Sequence, residues 1–440
     1  MLSACSLEPR TSGLKPQAQI SAMPVPLRVI VSHPARQANI YYRPRAAEQM
    51  GAEVVFLTGL YYRPDRFPYS VIQYLPASRR ERLRVLLEKR RIDGLDPNHV
   101  ISLLGPVLEV TLRPMERIKE WWAIHDWLAS RWIARYRKCA ANRSVPTILH
   151  CFQGACRRTL LAGRASNMVR LLEVTLPSAA EIQRLIGEEP GGDTDVAKLR
   201  DEVREAEFIL VQSEFSARSV LALGVTPRQI LRCHLGVDTQ YFQPRKRNRG
   251  AGPLRVLFLG GASRRKGIQF LLEAWRNLNA PEAELLIAGN RTAGLENLPK
   301  DVTNCRVLGR VSDGEFLDLL QQADMLVHPS LAEGGCNVVY EALACGVPVI
   351  VSSNGSSAVR HEREGLVVPP GDSEALRAAM ERLCHERDLR IQMGLAARVR
   401  AESLRWDNYL ISLARIYGAL GDYGRSHHPA TLDALAATTF

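Results

Sequence analysis

Apolar positions along the chain fall into two alternating rhythms. Short apolar runs at LRVIVSH (Leu27–His33), AEVVFLT (Ala52–Thr58), TILH (Thr147–His150) and EFILVQSE (Glu207–Glu214) carry β-branched residues and end in polar turns, the pattern of buried strands. Between them lie stretches with helical spacing. One reaches Gly51, two are basic and tryptophan-rich, and a long one follows the turn FQGAC and runs to about Ile186. EEPGGDTD reads as a polar loop. A segment without apolar period, PRKRNRGAGP (Pro244–Pro253), then interrupts the rhythm and reads as a linker.

A second series begins at once. LRVLFLG, AELLIAG, CRVLGRV, DMLVHPS, VPVIVSS and GLVVPP read as strands, and IQFLLEAWRNL, EFLDLLQQA and SEALRAAMERLCHERD as helices. Strands alternating with helices predict α/β architecture with parallel, doubly wound sheets. Two such units are expected, split near residue 248, and ligands of such sheets bind at the carboxyl ends of the strands. A cleft between the two sheets is therefore the expected site.

The chain has 440 residues, too many for one ordinary core, so two or three domains are expected. At 46% hydrophobic and 24% charged it has the composition of a soluble globular protein, and no apolar run is long enough to span a membrane. The nine cysteines are scattered without a CxxC pair, which points to reduced thiols and away from a zinc site or a disulfide framework. Net charge is +12 and unevenly placed: Arg79–Arg91 carries seven positive and two negative residues, and Arg117–Lys138 carries four tryptophans in a basic, helix-like segment. A solvated helix face, a nucleic-acid patch and a surface resting on anionic lipid all fit such segments. The tryptophans favour the lipid interface over nucleic acid, and a core helix with a basic outer face fits them equally.

The richest local pattern is EGGCNVVYE, Glu333 to Glu341, just ahead of ALACGVPVIVSS. Pro329 and Ser330 stop an apolar run, Gly334 and Gly335 make a flexible turn, and Asn337–Ala344 has helix formers. Glu333 is thus expected on a loop at a helix N-terminus and Glu341 inside the helix. A helix N-terminus attracts anions such as phosphate, so a carboxylate there is either a cap or a functional group.

SEFSARSVLALGVTPRQI, GVDTQYFQP, FLGGASRRKG, ADMLVHPSLAEGGCNVVYEALACGVPVIVSS and GLVVPPGD follow one another in order over roughly residues 205–385. This string resembles the nucleotide-sugar domain of retaining glycosyltransferases with the two-Rossmann GT-B architecture, specifically glycosyltransferase family 4 (glycosyl transferases group 1). The first half resembles that family only in its strand–helix rhythm. The resemblance implies a flexible tail over 1–25, an acceptor domain over 26–247 and a nucleotide-sugar domain over 248–400. It also implies a helix over 401–420 that crosses back to the first domain, with Trp406 as its anchor, and a tail over 421–440.

By the same resemblance both glutamates serve the donor. Glu333 faces the transferring sugar and Glu341 bonds the ribose hydroxyls, while Gly334 and Gly335 let the backbone approach the diphosphate and the N–H groups near Cys336 and Asn337 receive it. In the GGASRRKG turn, Gly260 and Gly261 bring backbone to the ligand, and Arg265 and Lys266 neutralise the diphosphate; relatives often have arginine where this chain has Gly261. Asn290 joins the donor site, and Gly309, Arg310 and Val311 offer backbone to the base, which leaves UDP, GDP and ADP open, with UDP and GDP leading. In HCFQGAC, His150 is expected at the end of a strand, near the reacting sugar carbon; His33 is a weaker candidate of the same kind.

Asp193-Thr-Asp195 matches a DxD metal motif, but its expected place in a polar loop makes it a decoy, so no metal and no cofactor beyond the co-substrate is expected. The implied activity is retaining transfer of a sugar to a glycan or lipid-linked acceptor, in the cytoplasm, with peripheral contact to an anionic membrane and none to nucleic acid. A nucleotide-sugar epimerase and a non-catalytic binding scaffold are the alternatives. A nicotinamide dehydrogenase is disfavoured because neither sheet's first turn supplies GxGxxG.

Overall fold

In a computed structural model of the chain, the described residues are 26–34, 38–66, 69–88, 95–103, 118–138, 145–186, 192–245, 252–290 and 302–428. The first sheet has seven strands, β1 (Arg28–His33), β2 (Glu53–Thr58), β3 (Val100–Ser102), β4 (Thr147–Phe152), β5 (Val169–Val174), β6 (Phe208–Val211) and β7 (Ile230–Arg232), in the order β3-β2-β1-β4-β5-β6-β7. The second has six, β8 (Leu254–Leu259), β9 (Ala283–Ala288), β10 (Cys305–Gly309), β11 (Met325–His328), β12 (Val349–Ser352) and β13 (Gly365–Val368), in the order β10-β9-β8-β11-β12-β13. Every paired strand is parallel, with Val31 facing both Phe56 and His150 across its two neighbours. All six residues of β1 and of β4 are buried, as a sheet covered on both faces requires.

The helices of the first half are α1 (Tyr42–Gln49), α2 (Ala77–Glu88), α3 (Ile118–Tyr136), α4 (Arg157–Ala165), α5 (Ala179–Ile186), α6 (Gly192–Glu205) and α7 (Glu214–Leu221). Those of the second are α8 (Ile268–Arg276), α9 (Asp313–Gln322), α10 (Asn337–Ala344), α11 (Ser373–His385), α12 (Arg387–Ser403) and α13 (Trp406–Ser426). The strand order reverses between β1 and β4 and again between β8 and β11. These two switch points are where a doubly wound sheet opens a crevice at its carboxyl edge. This is the GT-B arrangement of two parallel α/β sheets.

Several expectations are corrected. The region read as one helix up to Ile186 contains strand β5, VRLLEV, buried on both faces at the centre of the sheet. Its leucines fit a helix as readily as a strand, and only its neighbours β4 and β6 decide. β4 continues through Phe152, so His150 lies inside a strand rather than at its end. Asp193-Thr-Asp195 lies in the first turn of α6, not in a loop. The last helix starts at Trp406 and continues to Ser426. The tail over 1–25, most of the linker (246–251) and residues 89–91 of the basic segment lie outside the described residues.

In α3 the inner face (His125, Asp126, Ala129, Ile133) is buried, and of its tryptophans Trp127 is exposed. It is a core helix with a basic outer face. α2 is largely exposed and rests on a small cluster of Leu60, Tyr62, Tyr69 and Leu87.

α13 belongs to the first domain's core. Tyr409, Leu413, Ile416, Tyr417 and Leu420, spaced to share one helix face, pack with Val29, Val31, Ile148 and Leu171. The chain therefore crosses between domains twice. The two crossings touch where the Val237 N–H donates to Leu404 O at 2.9 Å. Beside that contact the Trp406 ring stacks on Tyr42 at 3.8 Å and closes over Gly236, where a Cβ would lie 2.4 Å from the indole.

Candidate functional site: the second switch point

Two turns meet at the carboxyl edge of the second sheet. The turn after β8 is GGASRRKG, and the loop after β11 is HPSLAEGG. They are bonded to one another: Leu331 N–H donates to Arg265 O at 2.8 Å and Arg265 Nη1 donates to Ala332 O at 2.6 Å, with Ser330 Oγ standing 3.0 Å from Arg265 O. Gly267, which opens α8 at φ +73°, lies so close to this loop that a Cβ would sit 2.0 Å from Pro329 O. Only glycine satisfies both demands.

Glu333 is held at the centre, 4% exposed. Its Oε1 takes Arg265 Nη1 at 3.0 Å, Ser330 Oγ at 2.9 Å and Lys266 Nζ, and stands 3.7 Å from His328 Nε2. Burial alone would raise its pKa. The Lys266 and Arg265 cations outweigh that and hold the carboxyl well below the ordinary range. The carboxylate is thus ionised, with cations on one side.

Cys336 caps α10 through its backbone, with no side-chain cap bond. Val339 N–H donates to Cys336 O at 3.0 Å, and among the described residues the Asn337 and Val338 N–H groups remain available to an anion. The Cys336 thiol turns instead to His328 Nε2 at 3.1 Å. Burial opposes charge on both groups, but their mutual attraction prevails: the thiol is pulled below its usual value and the imidazole raised above its own.

Glu341 lies further along α10, partly buried, and among the described residues its side chain carries no hydrogen bond or ion pair. Burial, aided by the charge of Cys336, pushes its carboxyl up from 4.5 to about 8. The sign follows: below pH 4.5 the carboxyl is neutral folded or unfolded, and between 4.5 and 8 only the unfolded chain releases the proton, so stability falls as pH rises through that window. In the ligand-free protein Glu341→Gln is expected to raise Tm by about 2–4 °C at pH 9 and to leave it nearly unchanged at pH 5, read by calorimetry. An equal shift at both pH values would show that the carboxyl is not suppressed.

The remaining candidates lie along the same edge. Gly260, at φ +136°, and Gly261 follow β8. Asn290 follows β9, and its carbonyl accepts from Ala262 N–H at 2.9 Å. Gly309 ends β10 and accepts from Gly289 N–H at 2.7 Å, with Arg310 and Val311 next and Arg310 exposed. Asn337 opens α10 on its exposed side. The structure brings Arg265, Lys266, Glu333 and Cys336 together through His328, and places the others around them without direct contact to Glu333.

The first domain presses directly on the Glu333 loop. A Cβ on Gly334 would lie 1.9 Å from Thr175 O, at the end of β5, and one on Gly335 would lie 2.5 Å from Gln212 Oε1. The two glycines therefore serve the approach of the domains.

His150 does not face this cleft. It is fully buried, its Nδ1 bonded to Tyr417 Oη at 2.7 Å and its Nε2 standing 3.1 Å from Glu173 Oε2. Glu173 also takes Arg43 Nε at 3.0 Å and Gln212 Nε2 at 2.8 Å. Burial and the Arg43 cation push the imidazole down, against the pull of Glu173, so it is a neutral core histidine that fastens α13. His33 ends β1, 5% exposed, edge-on to Phe152 at 4.7 Å.

Sequence reading missed His328, Ser330 and Asn354. His328 ends a strand five residues before Glu333, and that position was the available signal.

Residues 253–386 match the family described as glycosyl transferases group 1. The D-inositol 3-phosphate glycosyltransferase of Pseudarthrobacter chlorophenolicus is 29% identical over 277 residues, 58% of this chain and 66% of that one. The chain spans between about two-fifths and two-thirds of the length of such curated relatives. Among solved structures, the sucrose-phosphate synthase from Thermosynechococcus elongatus superposes with TM-score 0.64 at 22% identity, over 90% of this chain and 99% of that one. HepE of Anabaena, solved in complex with UDP and glucose, superposes with TM-score 0.58 at 12% identity, over 89% of this chain and all of that one. The chain has the GT-B glycosyltransferase fold, and its second domain is similar to the glycosyl transferases of group 1.

Proposed function

We propose that the protein is a retaining, metal-independent glycosyltransferase of family 4. It moves a sugar from a nucleoside-diphosphate sugar to a glycan or lipid-linked acceptor in polysaccharide or glycolipid assembly. The carrying observation is the buried, ionised Glu333 carboxylate beside Arg265 and Lys266 at the side-chain-uncapped N-terminus of α10. The helix N–H groups and the two cations take the diphosphate, supplying the charge stabilisation a metal ion would otherwise give. Glu333 accepts from hydroxyls of the transferring sugar, and Glu341 from the ribose. The bond from the anomeric carbon to the diphosphate oxygen breaks and a bond to the acceptor oxygen forms on the same face. The acceptor's proton passes to the departing diphosphate. Domain closure excludes water from the donor.

The test is thermal stability with UDP, GDP, ADP and NAD, with and without magnesium, on the wild type and Glu341→Ala. A ligand at one hundred times its Kd adds about 2.7 kcal/mol. One nucleoside diphosphate is expected to raise Tm without metal, and Glu341→Ala to weaken that rise. Stabilisation by NAD alone, or by none of the four, ends this reading.

Peripheral membrane contact rests on α2. Its arginines Arg79, Arg80 and Arg82 are exposed beside the exposed apolar residues Val71, Tyr74 and Val85, a basic and apolar surface suited to anionic lipid. Co-sedimentation with phosphatidylserine vesicles should fall with added salt and with charge reversal of the three arginines. Equal binding to neutral vesicles would exclude the electrostatic contact.

A further inference from the structure

The loop bearing Glu333 is bonded to a second turn, which follows β12, and that turn reaches the other domain. Asn354 is 7% exposed and is bonded through its main-chain oxygen and both ends of its side-chain amide. Its main-chain oxygen accepts the Glu333 N–H at 3.2 Å. Its side-chain amide donates to Leu331 O at 3.0 Å, and its side-chain oxygen accepts from Arg218 Nη2, on α7 of the first domain, at 3.4 Å. Three residues on, Ser357 Oγ accepts the N–H of Glu214, the first residue of α7, at 3.0 Å. Ser213, the cap of α7, donates its hydroxyl to Glu333 O at 3.4 Å.

These bonds have a direction. A helix N-terminus has N–H groups that its own turn cannot satisfy, and here one of them is satisfied across the domain boundary. When the domains part, Glu214 N–H and Arg218 return to water, and the 354–357 turn keeps only the bonds within its own domain. When they meet, α7 presses on the turn that holds the backbone leading into Glu333. Within the second domain the Glu333 side chain is anchored by Ser330, Arg265 and Lys266. Its main chain is anchored by Asn354 and, from across the cleft, by Ser213.

We propose that Asn354 and Ser357 are positioning residues that couple closure of the two domains to the placement of the Glu333 carboxylate. The proposal rests on the donor-site reading of Glu333 given above. It assigns a use to the turn NGSSAV, Asn354–Val359, which follows β12. The turn acts on the reaction through the main chain of the Glu333 loop, at Glu333 N–H and at Leu331 O.

The experiment uses the full-length wild type, Ser357→Ala and Asn354→Ala. Hydrogen–deuterium exchange is followed in the segments 213–218 and 330–336, and release of nucleoside diphosphate is followed from UDP-glucose, GDP-mannose and ADP-glucose. Ser357→Ala removes one hydroxyl that touches neither Glu333 nor the residues bonded to it. It is expected to speed exchange in 330–336 as well as in 213–218. It should also lower kcat by about 10-fold, because small misplacements of a reacting group are costly, with KM for the nucleotide sugar little changed. Asn354→Ala should do the same with a larger loss, about 100-fold. The proposal is overturned if the effect of Ser357→Ala on exchange stops at 213–218, if kcat stays at the wild-type value, or if KM rises while kcat does not fall. Failure of the donor-site reading looks different: the wild type releases no nucleoside diphosphate from any of the three, or Glu333→Gln turns over as fast as the wild type.

Discussion

Glu333→Gln is expected to lower sugar transfer by about 100- to 1,000-fold while leaving nucleoside-diphosphate binding intact. The substitution keeps the shape of the side chain and the Ser330 contact, but removes the charge facing Arg265 and Lys266. Two cations then share a nearly closed site without a counter-charge. Removal of one partner from a buried ion pair costs about 3 kcal/mol, so Tm of the ligand-free protein should fall. A bound diphosphate restores the missing charge, and the rise in Tm with ligand should be larger in the variant than in the wild type. Calorimetry with and without nucleoside diphosphate, together with steady-state kcat, reads all three effects. A variant that is less stable but fully active would make Glu333 an anchor for the two turns and nothing more.

The second large effect is expected from Gly334→Ala. A methyl group there would stand 1.9 Å from Thr175 O and 2.5 Å from Thr175 C, both main-chain atoms of a strand end that cannot swing aside. The loop or the first domain must move, and the closed arrangement is lost or displaced. The proposed nucleotide site lies in the second domain, so ligand-induced stabilisation should persist while kcat falls by about 100-fold. Small-angle scattering in the presence of ligand should show a larger radius of gyration than for the wild type. Gly314→Ala is the control, since a Cβ there meets nothing within 4 Å and sits in the first turn of α9. That variant should match the wild type in activity. Wild-type activity in Gly334→Ala would mean that the seam between the domains opens at no cost to the reaction.

What the sequence made legible depends on how local each feature is. The strand–helix rhythm and the Glu333–Glu341 spacing are local, and both are where the pattern placed them. The edge strands β3 and β7 were not legible, because three residues each carry too little period. β5 was misread because leucine suits helix and strand alike, and its burial between β4 and β6 is a property of the sheet. His150 was misread for a related reason. Its partner Tyr417 is 267 positions away, on a helix that arrives from the far end of the chain. Asn354 and Ser357 draw their meaning from α7, some 140 positions earlier, and no spacing within NGSSAV announces that contact.

The return of α13 to the first sheet has a consequence for anyone who cuts the chain. The module that folds around β1, β4 and β5 is discontinuous in sequence, since its hydrophobic face is completed by Tyr409, Leu413, Tyr417 and Leu420. A fragment ending in the linker near residue 248 would expose that face and leave the His150 ring without its hydroxyl partner. Recombining first and second domains between related chains therefore calls for two junctions, one in the linker and one near Leu404, so that the final helix travels with the half it covers. The contact between Val237 and Leu404 marks where those junctions lie side by side, and a graft that respects both would exchange whole folded modules while keeping the pivot between them.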